Sequence, residues 1–129
     1  MEAVAPSTPL GGAKGHAWEE FVLPLRTAGK LLWSPSATGP IGKRAQVVTL
    51  HDVAYLDAPE FFSANFARAY RMLLPQLMKR AAKVVTVSEF SRKRIAHWYG
   101  LDESRIEIIG NGVSEQFHRY EPDAIAATR

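Results

Sequence analysis

Apolar residues follow two kinds of pattern along this chain, and together they predict an α/β fold. Short unbroken runs of aliphatic and β-branched residues are typical of strands that are covered on both faces of a parallel sheet. Longer segments with apolar residues three and four positions apart are typical of helices with one buried face. The predicted strands are Leu31–Trp33, Val47–Leu50, Val84–Val87 and Ile106–Ile109.

Prolines affect two of the predicted helices. A short helix over 17–23 should be disturbed by Pro24, because proline lacks the backbone N–H that a helix interior needs. A long helix over 59–82 carries nine apolar residues at helical spacing and should be kinked at Pro75.

A third helix, over 89–99, has recognisable ends and a possible binding function. Ser88 precedes it as a suitable N-cap, and Gly100 follows it. A capping hydroxyl beside free backbone N–H groups makes a helix start that can accept a phosphate or a carboxylate. The alternative is an ordinary junction between a strand and a helix. The candidate binding residues are Ser88, Glu89, Ser91 and Arg92.

Strands that alternate with helices imply a parallel sheet with right-handed crossovers. In open sheets of this kind, ligands bind beyond the carboxyl ends of the strands, where the connecting loops meet. We therefore expect the site to be built from four loops. These are Ser34–Pro40, His51–Ala58, Ser88–Ser91 and Gly110–Val113.

His51 and Asp52 are the most interesting pair in these loops. They follow a buried strand directly, so that an imidazole and a carboxylate stand where either can hydrogen-bond a hydroxyl group of a ligand. Adjacent residues of an extended segment point to opposite faces, so the two cannot form a dyad without a bend. The alternative is that His51 binds loop backbone groups and Asp52 caps the next segment of the chain.

Other candidates are weaker. The turn Gly110–Asn111–Gly112 offers backbone freedom at positive φ, but a lone glycine turn is more often structural. The histidines are too dispersed for metal spacing, so no metal site is expected. The three tryptophans are interpreted as core or helix-packing residues. No Gly-x-Gly-x-x-Gly follows a predicted strand, which argues against a dehydrogenase-like nucleotide site.

Composition narrows the class of protein further. Hydrophobic residues make up 47% and charged residues 22% of the 129 residues, as in ordinary globular domains. The net charge is +3, and the basic residues are scattered along the chain, with their densest stretch at Arg92–Arg94. No nucleic-acid partner is therefore expected. The absence of cysteine excludes disulfides and thiolate catalysis. No apolar run approaches the roughly 20 residues that cross a bilayer, so at most peripheral membrane contact is expected.

In their order and spacing, several segments of the chain resemble the N-terminal domain of family 4 glycosyltransferases, which have the GT-B architecture of two Rossmann-like domains facing across a cleft. The subgroup most similar to it is the bacterial mannosyltransferase-like one. The segments are Gly15–Glu20, Leu31–Pro35, Val47–Asp52, Pro59–Ser63, Val87–Arg92 and Asn111–Val113, followed by Phe117.

The resemblance implies a partial Rossmann-like domain over 15–118, preceded by a flexible leader over 1–14 and followed by an interdomain segment or tail over 119–129. It also implies retaining transfer of a hexose, with mannose from GDP-mannose as one candidate, to a glycan or lipid-linked acceptor. No metal or other cofactor is implied, and the location is cytoplasmic or at the inner face of the membrane.

By the same resemblance, His51 would bind the donor sugar near the reaction centre and Asp52 would organise its loop. The start of the 89–99 helix would line the cleft, and Asn111 and Gly112 would lie near the crossover into the donor-binding domain.

Family members begin with a strand and a glycine-rich loop upstream of Gly15 and continue into a donor domain. We therefore expect this chain to be the acceptor-side half of such an enzyme, inactive alone. The alternative is a non-catalytic interaction subunit that completes a cleft with a separately encoded donor domain. Apolar surface left exposed at the missing contacts would favour self-association.

Overall fold

A computed structural model describes residues 2–114 of the chain. In this part of the chain, four parallel strands form one sheet in the order β1-β2-β3-β4, with helices before and between them. The strands are β1 (Leu32–Ser34), β2 (Gln46–Thr49), β3 (Lys83–Thr86) and β4 (Ile106–Ile108). The helices are α1 (Gly12–Phe21), α2 (Leu23–Arg26), α3 (Ala54–Asp57), α4 (Ala64–Arg80) and α5 (Glu89–Tyr99), with 3-10 turns at Pro59–Phe61 and Glu103–Arg105. The predicted α/β class with a parallel, Rossmann-like sheet is confirmed.

Two strands begin and end one residue earlier than predicted. In β2 and β3 the apolar run continues past the last paired residue to Leu50 and Val87, whereas the ladder starts at the polar Gln46 and Lys83. An apolar run in the sequence indicates which side chains are buried, whereas the ladder is defined by hydrogen bonds between backbones. The two therefore differ at strand ends, although the Leu50 N–H still bonds the Val85 carbonyl at 2.8 Å.

The core lies between one face of the sheet and the two longest helices. Val48, Val84 and Ile106 project from neighbouring strands into the same apolar cluster, as the two-residue period of a strand requires. Burying each such side chain stabilises the fold by about 1.5–3 kcal/mol relative to exposure. The helix residues of this cluster are Leu74, Leu77 and Met78 of α4 and Ile95 and Tyr99 of α5.

The opposite face of the sheet carries Trp33, which corrects one prediction. Trp33 is 50% exposed rather than part of the core, and its indole N–H donates to Thr49 Oγ1 at 3.0 Å. Its register partner is Val47, and Thr49 lies beside Val85. These residues share the face that points away from α4 and α5. Trp98 of α5, 43% exposed, lies outside the core but joins α5 to α3 through Asp57, as the helix-packing interpretation allows.

The N-terminal segment forms two helices where one was predicted, and Pro24 is not the residue at which the first helix breaks. Instead of disturbing one helix, Pro24 lies in the first turn of α2, where a missing N–H costs nothing. The break falls at Val22, between α1 and α2. Helix α1 also begins at Gly12, inside the segment predicted as a leader.

The predicted 59–82 helix is shorter than expected. Pro59–Phe61 forms a separate 3-10 turn, Phe62 is extended, and α4 begins after Ser63, whose Oγ accepts from the Phe66 N–H at 3.3 Å. The capping hydroxyl thus sets the start of α4, although apolar spacing extends further back. Pro75 lies inside this helix.

The connection from β1 to β2 contains no helix, although parallel neighbours usually need one. Instead, the buried Gln46 side chain holds it, donating from Nε2 to the carbonyls of Pro40 at 2.7 Å and Lys43 at 2.6 Å. Gly39 packs so closely that a β carbon there would lie 2.7 Å from Ser34 Oγ.

Some predictions fall outside the described residues, namely the tail at 119–129, the end of the domain at 115–118, and Phe117. Within residues 2–114, no helix has the length and apolar character that crossing a bilayer requires.

Candidate functional site

All four strands end at the same edge of the sheet because they are parallel neighbours, so the predicted rim of four loops exists. The first two loops touch, since His51 Nε2 lies 3.2 Å from the Pro35 carbonyl oxygen. The Ala37 N–H donates to the Thr49 carbonyl at 3.0 Å, and Thr86 Oγ1 donates to the His51 carbonyl at 3.4 Å. These contacts join the ends of β1, β2 and β3 into one surface, hereafter the rim.

His51 and Asp52 are both exposed at the rim, and each contacts loop backbone rather than the other residue. Asp52 Oδ1 accepts the Ala54 N–H at 2.9 Å and so starts α3, while His51 contacts the Pro35 carbonyl. Both contacts are those of the structural alternative. Each side chain nevertheless keeps polar atoms in solvent, where they remain available to a hydroxylated ligand.

The start of α5 has the predicted capping geometry. Ser88 Oγ accepts the Ser91 N–H at 3.1 Å, and Gly100 ends the helix in the left-handed conformation at φ 60°. Ser91 itself is buried and receives a hydrogen bond from Ser88 Oγ at 3.1 Å. Its side chain therefore serves the cap and does not project from the rim.

The charged residues of this helix start are paired with each other. Arg92 Nη2 donates to Glu89 Oε1 at 2.7 Å, and Arg92 Nε lies 3.3 Å from Glu103 Oε2 without hydrogen-bond alignment. The charge of Arg92 is thus shared between two carboxylates. Glu89 remains exposed and faces the solvent near the positive end of the helix dipole.

Asn111 and Gly112 follow β4 and are fully on the surface. The turn does not use the backbone freedom at positive φ that its glycines offer: among the described residues, glycines adopt positive φ at Gly12, Gly29 and Gly100. The fourth loop therefore leaves the sheet without a left-handed residue.

Ala37 is a rim residue that the sequence did not indicate. It has φ 65°, a conformation that an L-residue other than glycine, Asn or Asp rarely adopts. Its N–H bond to Thr49 holds it there. The run Ser34–Pro40 signalled a loop, but nothing in the identity of alanine signals a left-handed residue.

A cavity of about 160 Å³ opens beside the first loop of the rim, between α1 and α4. Glu19 joins α1 to this loop by accepting from Thr38 Oγ1 at 3.0 Å, and Glu20 accepts the Ile41 N–H at 3.1 Å. His16 Nδ1 lies 3.3 Å from Glu19. The floor of the cavity is apolar and consists of Ile41, Leu73, Leu74 and Leu77.

A contact between α3 and α5, next to the rim, was also not predicted from the sequence. Asp57, the last residue of α3, accepts from Arg94 Nε at 3.2 Å and from the Trp98 indole N–H at 2.7 Å. Arg94 Nη2 is a third donor to the same carboxylate. The hydrogen bond from Arg94 lowers the pKa of Asp57, so the carboxylate is ionised at neutral pH.

Metal ligands are not clustered in the described part of the chain. Residues 2–114 contain no group of three or more histidines, cysteines or acidic residues arranged to hold a metal ion.

Comparison with known proteins identifies the family. Residues 27–117 match Glycosyltransferase Family 4. The matched segment is more than half of the chain and includes all four strands of the sheet. The chain belongs to glycosyltransferase family 4. The resemblance inferred from the sequence motifs is thereby confirmed.

One relative points to a subgroup of family 4. The O-antigen chain mannosyltransferase RfbU of Salmonella typhimurium (strain LT2) is 33% identical over 86 residues, which cover 67% of this chain and 24% of that protein. This chain therefore aligns with about a quarter of the relative's length. No solved structure matches the chain.

Proposed function

We propose that this chain forms one wall of a glycosyltransferase site, at which a hexose passes from a sugar nucleotide to a hydroxyl of a glycan or lipid-linked acceptor. The observation that carries the proposal is the rim, where His51, Asp52 and Glu89 stand exposed at adjoining strand ends in a member of family 4. Mannose from GDP-mannose is the favoured donor, because the relative RfbU is a mannosyltransferase.

In this proposal the rim residues bind hydroxyl groups and do not form a covalent intermediate with the sugar. The His51 imidazole can accept or donate a hydrogen bond, and the Asp52 and Glu89 carboxylates can accept one. Transfer would retain the anomeric configuration and need no metal, as the family resemblance implies. Correct orientation of donor and acceptor and electrostatic stabilisation in the cleft would supply the rate enhancement.

We further infer that most contacts to the nucleotide lie outside this wall and that the chain alone is inactive. Calorimetric titration of the chain with GDP-mannose and with UDP-glucose should then give no binding in the sub-millimolar range. Sub-millimolar binding of either nucleotide would overturn the inference that the donor site lies elsewhere.

The rim itself is tested by titrating the ¹⁵N-labelled chain with mannose oligosaccharides and following its amide resonances. Shifts concentrated at His51–Asp52 and Ser88–Glu89, and reduced in a His51→Ala variant, are expected. Shifts confined to the amino ends of the strands would contradict the proposal.

An arrangement with a separately encoded donor domain uses the same rim and is favoured by one observation. Large apolar side chains are exposed beside the strand ends, including Phe90 at 71% and Val113 at 76%, as at the border of an interface. Sedimentation of the chain with and without the product of any adjacent Rossmann-like reading frame distinguishes this arrangement from self-association.

A further inference from the structure

Helix α3 directly follows His51 and Asp52, and two contacts attach it to α5. In the core, the hydroxyls of Tyr55 and Tyr99 lie 2.6 Å apart. At the surface, the Asp57 carboxylate receives hydrogen bonds from Arg94 and Trp98 of α5. A helix of a single turn has no stability of its own in water. The position of α3 is therefore set by its tertiary contacts, which are these two and the packing of the Tyr55 ring against Phe66 and Tyr70 of α4.

The two helices lead to different parts of the rim. Asp52 accepts the Ala54 N–H that begins α3, and Ser88 accepts the Ser91 N–H that begins α5. The pairing of β2 with β3 and the hydrogen bond from Thr86 Oγ1 to the His51 carbonyl set the distance between the His51–Asp52 segment and the capped start of α5 at the sheet. The contact between α3 and α5 adds a second restraint on that distance. That distance decides whether one sugar can meet both groups at once.

The Asp57 contact is directional, whereas apolar packing is not. A guanidinium that presents two N–H groups to one carboxylate fixes orientation as well as distance. The Trp98 indole adds a third donor, and the Arg94 guanidinium lies 5.8 Å from the Trp98 ring centroid. Asp57 lies outside the buried cluster that stabilises the sheet, so its removal leaves the core intact.

We propose that Asp57 is a positioning residue, which holds the His51–Asp52 segment at a fixed place relative to the start of α5. The consequence for sugar binding rests on the proposed function, but the coupling of the two segments does not. It can be measured in the chain without a ligand.

The test is amide hydrogen exchange in an Asp57→Asn variant. Asparagine keeps the shape and one acceptor oxygen but loses the charge that binds the guanidinium. The hydrogen-bonded amides of Ala54 and Ser91 should both exchange roughly two- to fivefold faster, the range for losing an exposed ion pair. The exchange of core amides in β2 and β3 should not change.

Glu107→Gln is the matched control. Glu107 accepts from Lys83 at 2.8 Å, and this hydrogen bond lowers the pKa of Glu107. Its side chain lies on the sheet face that points away from the core, and Arg92 of α5 acts on it through charge alone, as the smallest of the influences on its pKa. We expect this variant to leave the exchange of Ala54 and Ser91 unchanged.

Two results would overturn the proposal. In one, exchange in Asp57→Asn changes only next to Arg94 and Trp98. In the other, it rises equally throughout the sheet, which indicates a general structural role. If Asp57→Asn does not fold, the Arg94→Lys variant is used instead, because lysine keeps the positive charge but cannot present two N–H groups to one carboxylate. The exchange rates of the Ala54 and Ser91 amides are then compared in the same way.

The sugar titration separates this inference from the proposed function. Coupled exchange at Ala54 and Ser91 in a chain whose rim resonances do not respond to mannose oligosaccharides would reject the function and leave the role of Asp57 intact.

Discussion

Gly39 occupies a position in which a β carbon does not fit. In Gly39→Ala the new methyl would lie 2.7 Å from Ser34 Oγ and 2.9 Å from Gln46 Oε1, both on buried side chains. We expect a loss of about 1–3 kcal/mol in the free energy of unfolding, as for other overpacked sites. The midpoint of urea denaturation measures it.

Gly42 in the same connection provides the control. An alanine there would meet nothing within 4 Å, so Gly42→Ala should leave the midpoint unchanged or raise it slightly. Equal destabilisation by both variants would show that the loss reflects the flexibility of glycine and not the close approach at Gly39.

The sequence predicted where His51 and Asp52 stand and, as one of two alternatives, the kind of group that each contacts, but not the residue that His51 contacts. Their place followed from the end of a buried strand, which is a local property. The partner of His51 is the Pro35 carbonyl, 16 residues away, and the donors to Asp57 come from α5. Contacts between distant segments depend on the assembled sheet, so one sequence without its fold cannot specify them.

Among the larger elements, α5 depends on its N-cap and also borders the rim. Ser88→Ala removes the hydroxyl that accepts the Ser91 N–H and should cost about 1 kcal/mol in unfolding free energy. It should also reduce the resonance shifts that mannose oligosaccharides cause at Glu89. Denaturation and the sugar titration measure the two effects.

The control for Ser88→Ala is Ser63→Ala, which removes the corresponding cap of α4 at Phe66. It should cost a similar free energy of unfolding and leave the sugar response unchanged. If both variants weaken the sugar response alike, the effect of Ser88 is one of stability rather than of position at the rim.

Helix starts were predicted well where a capping residue marks them and poorly where apolar spacing was the only guide. Ser88 and Gly100 gave correct bounds for α5. Over 59–82, apolar residues on both sides of Ser63 concealed the real start of α4. Helix α3 was missed because four residues are too few to display a helical period.

At the scale of the whole molecule, the Tyr55–Tyr99 pair makes stability sensitive to alkaline pH. Burial raises the pKa of both hydroxyls above the ordinary 10.0, so the folded protein favours their neutral form. Ionisation is easier in the unfolded chain. Stability from this pair is therefore complete below pH about 10 and falls above it, by up to about 1.4 kcal/mol per pH unit and group.

Two phenylalanine variants, measured at neutral and alkaline pH, test whether the alkaline loss of stability comes from the Tyr55–Tyr99 pair. Tyr99→Phe alone leaves the buried Tyr55 hydroxyl without its partner and should cost about 1–3 kcal/mol at pH 7, whereas replacing both tyrosines should cost less than the two single losses together. The double variant should also lose less stability than the natural chain between neutral and alkaline pH. An unchanged alkaline loss would assign it to other groups.

The overall topology was predictable because alternation of strands and helices constrains a parallel sheet strongly. The sequence also predicted a loop after β1, but it did not predict that the buried Gln46 side chain holds the connection to β2, because no periodic pattern announces such a contact. The exposure of Trp33 was likewise unforeseen, because its run looks the same whether one or both sheet faces are covered.

Each strand of this sheet pairs with the strand next to it in the sequence. A chain leaving the ribosome can thus add strands one after another, each docking on a template already made, without waiting for a distant segment to return. Such vectorial assembly keeps loop-closure costs low at every step. At each step, the most recently added strand has an unpaired edge that could pair wrongly.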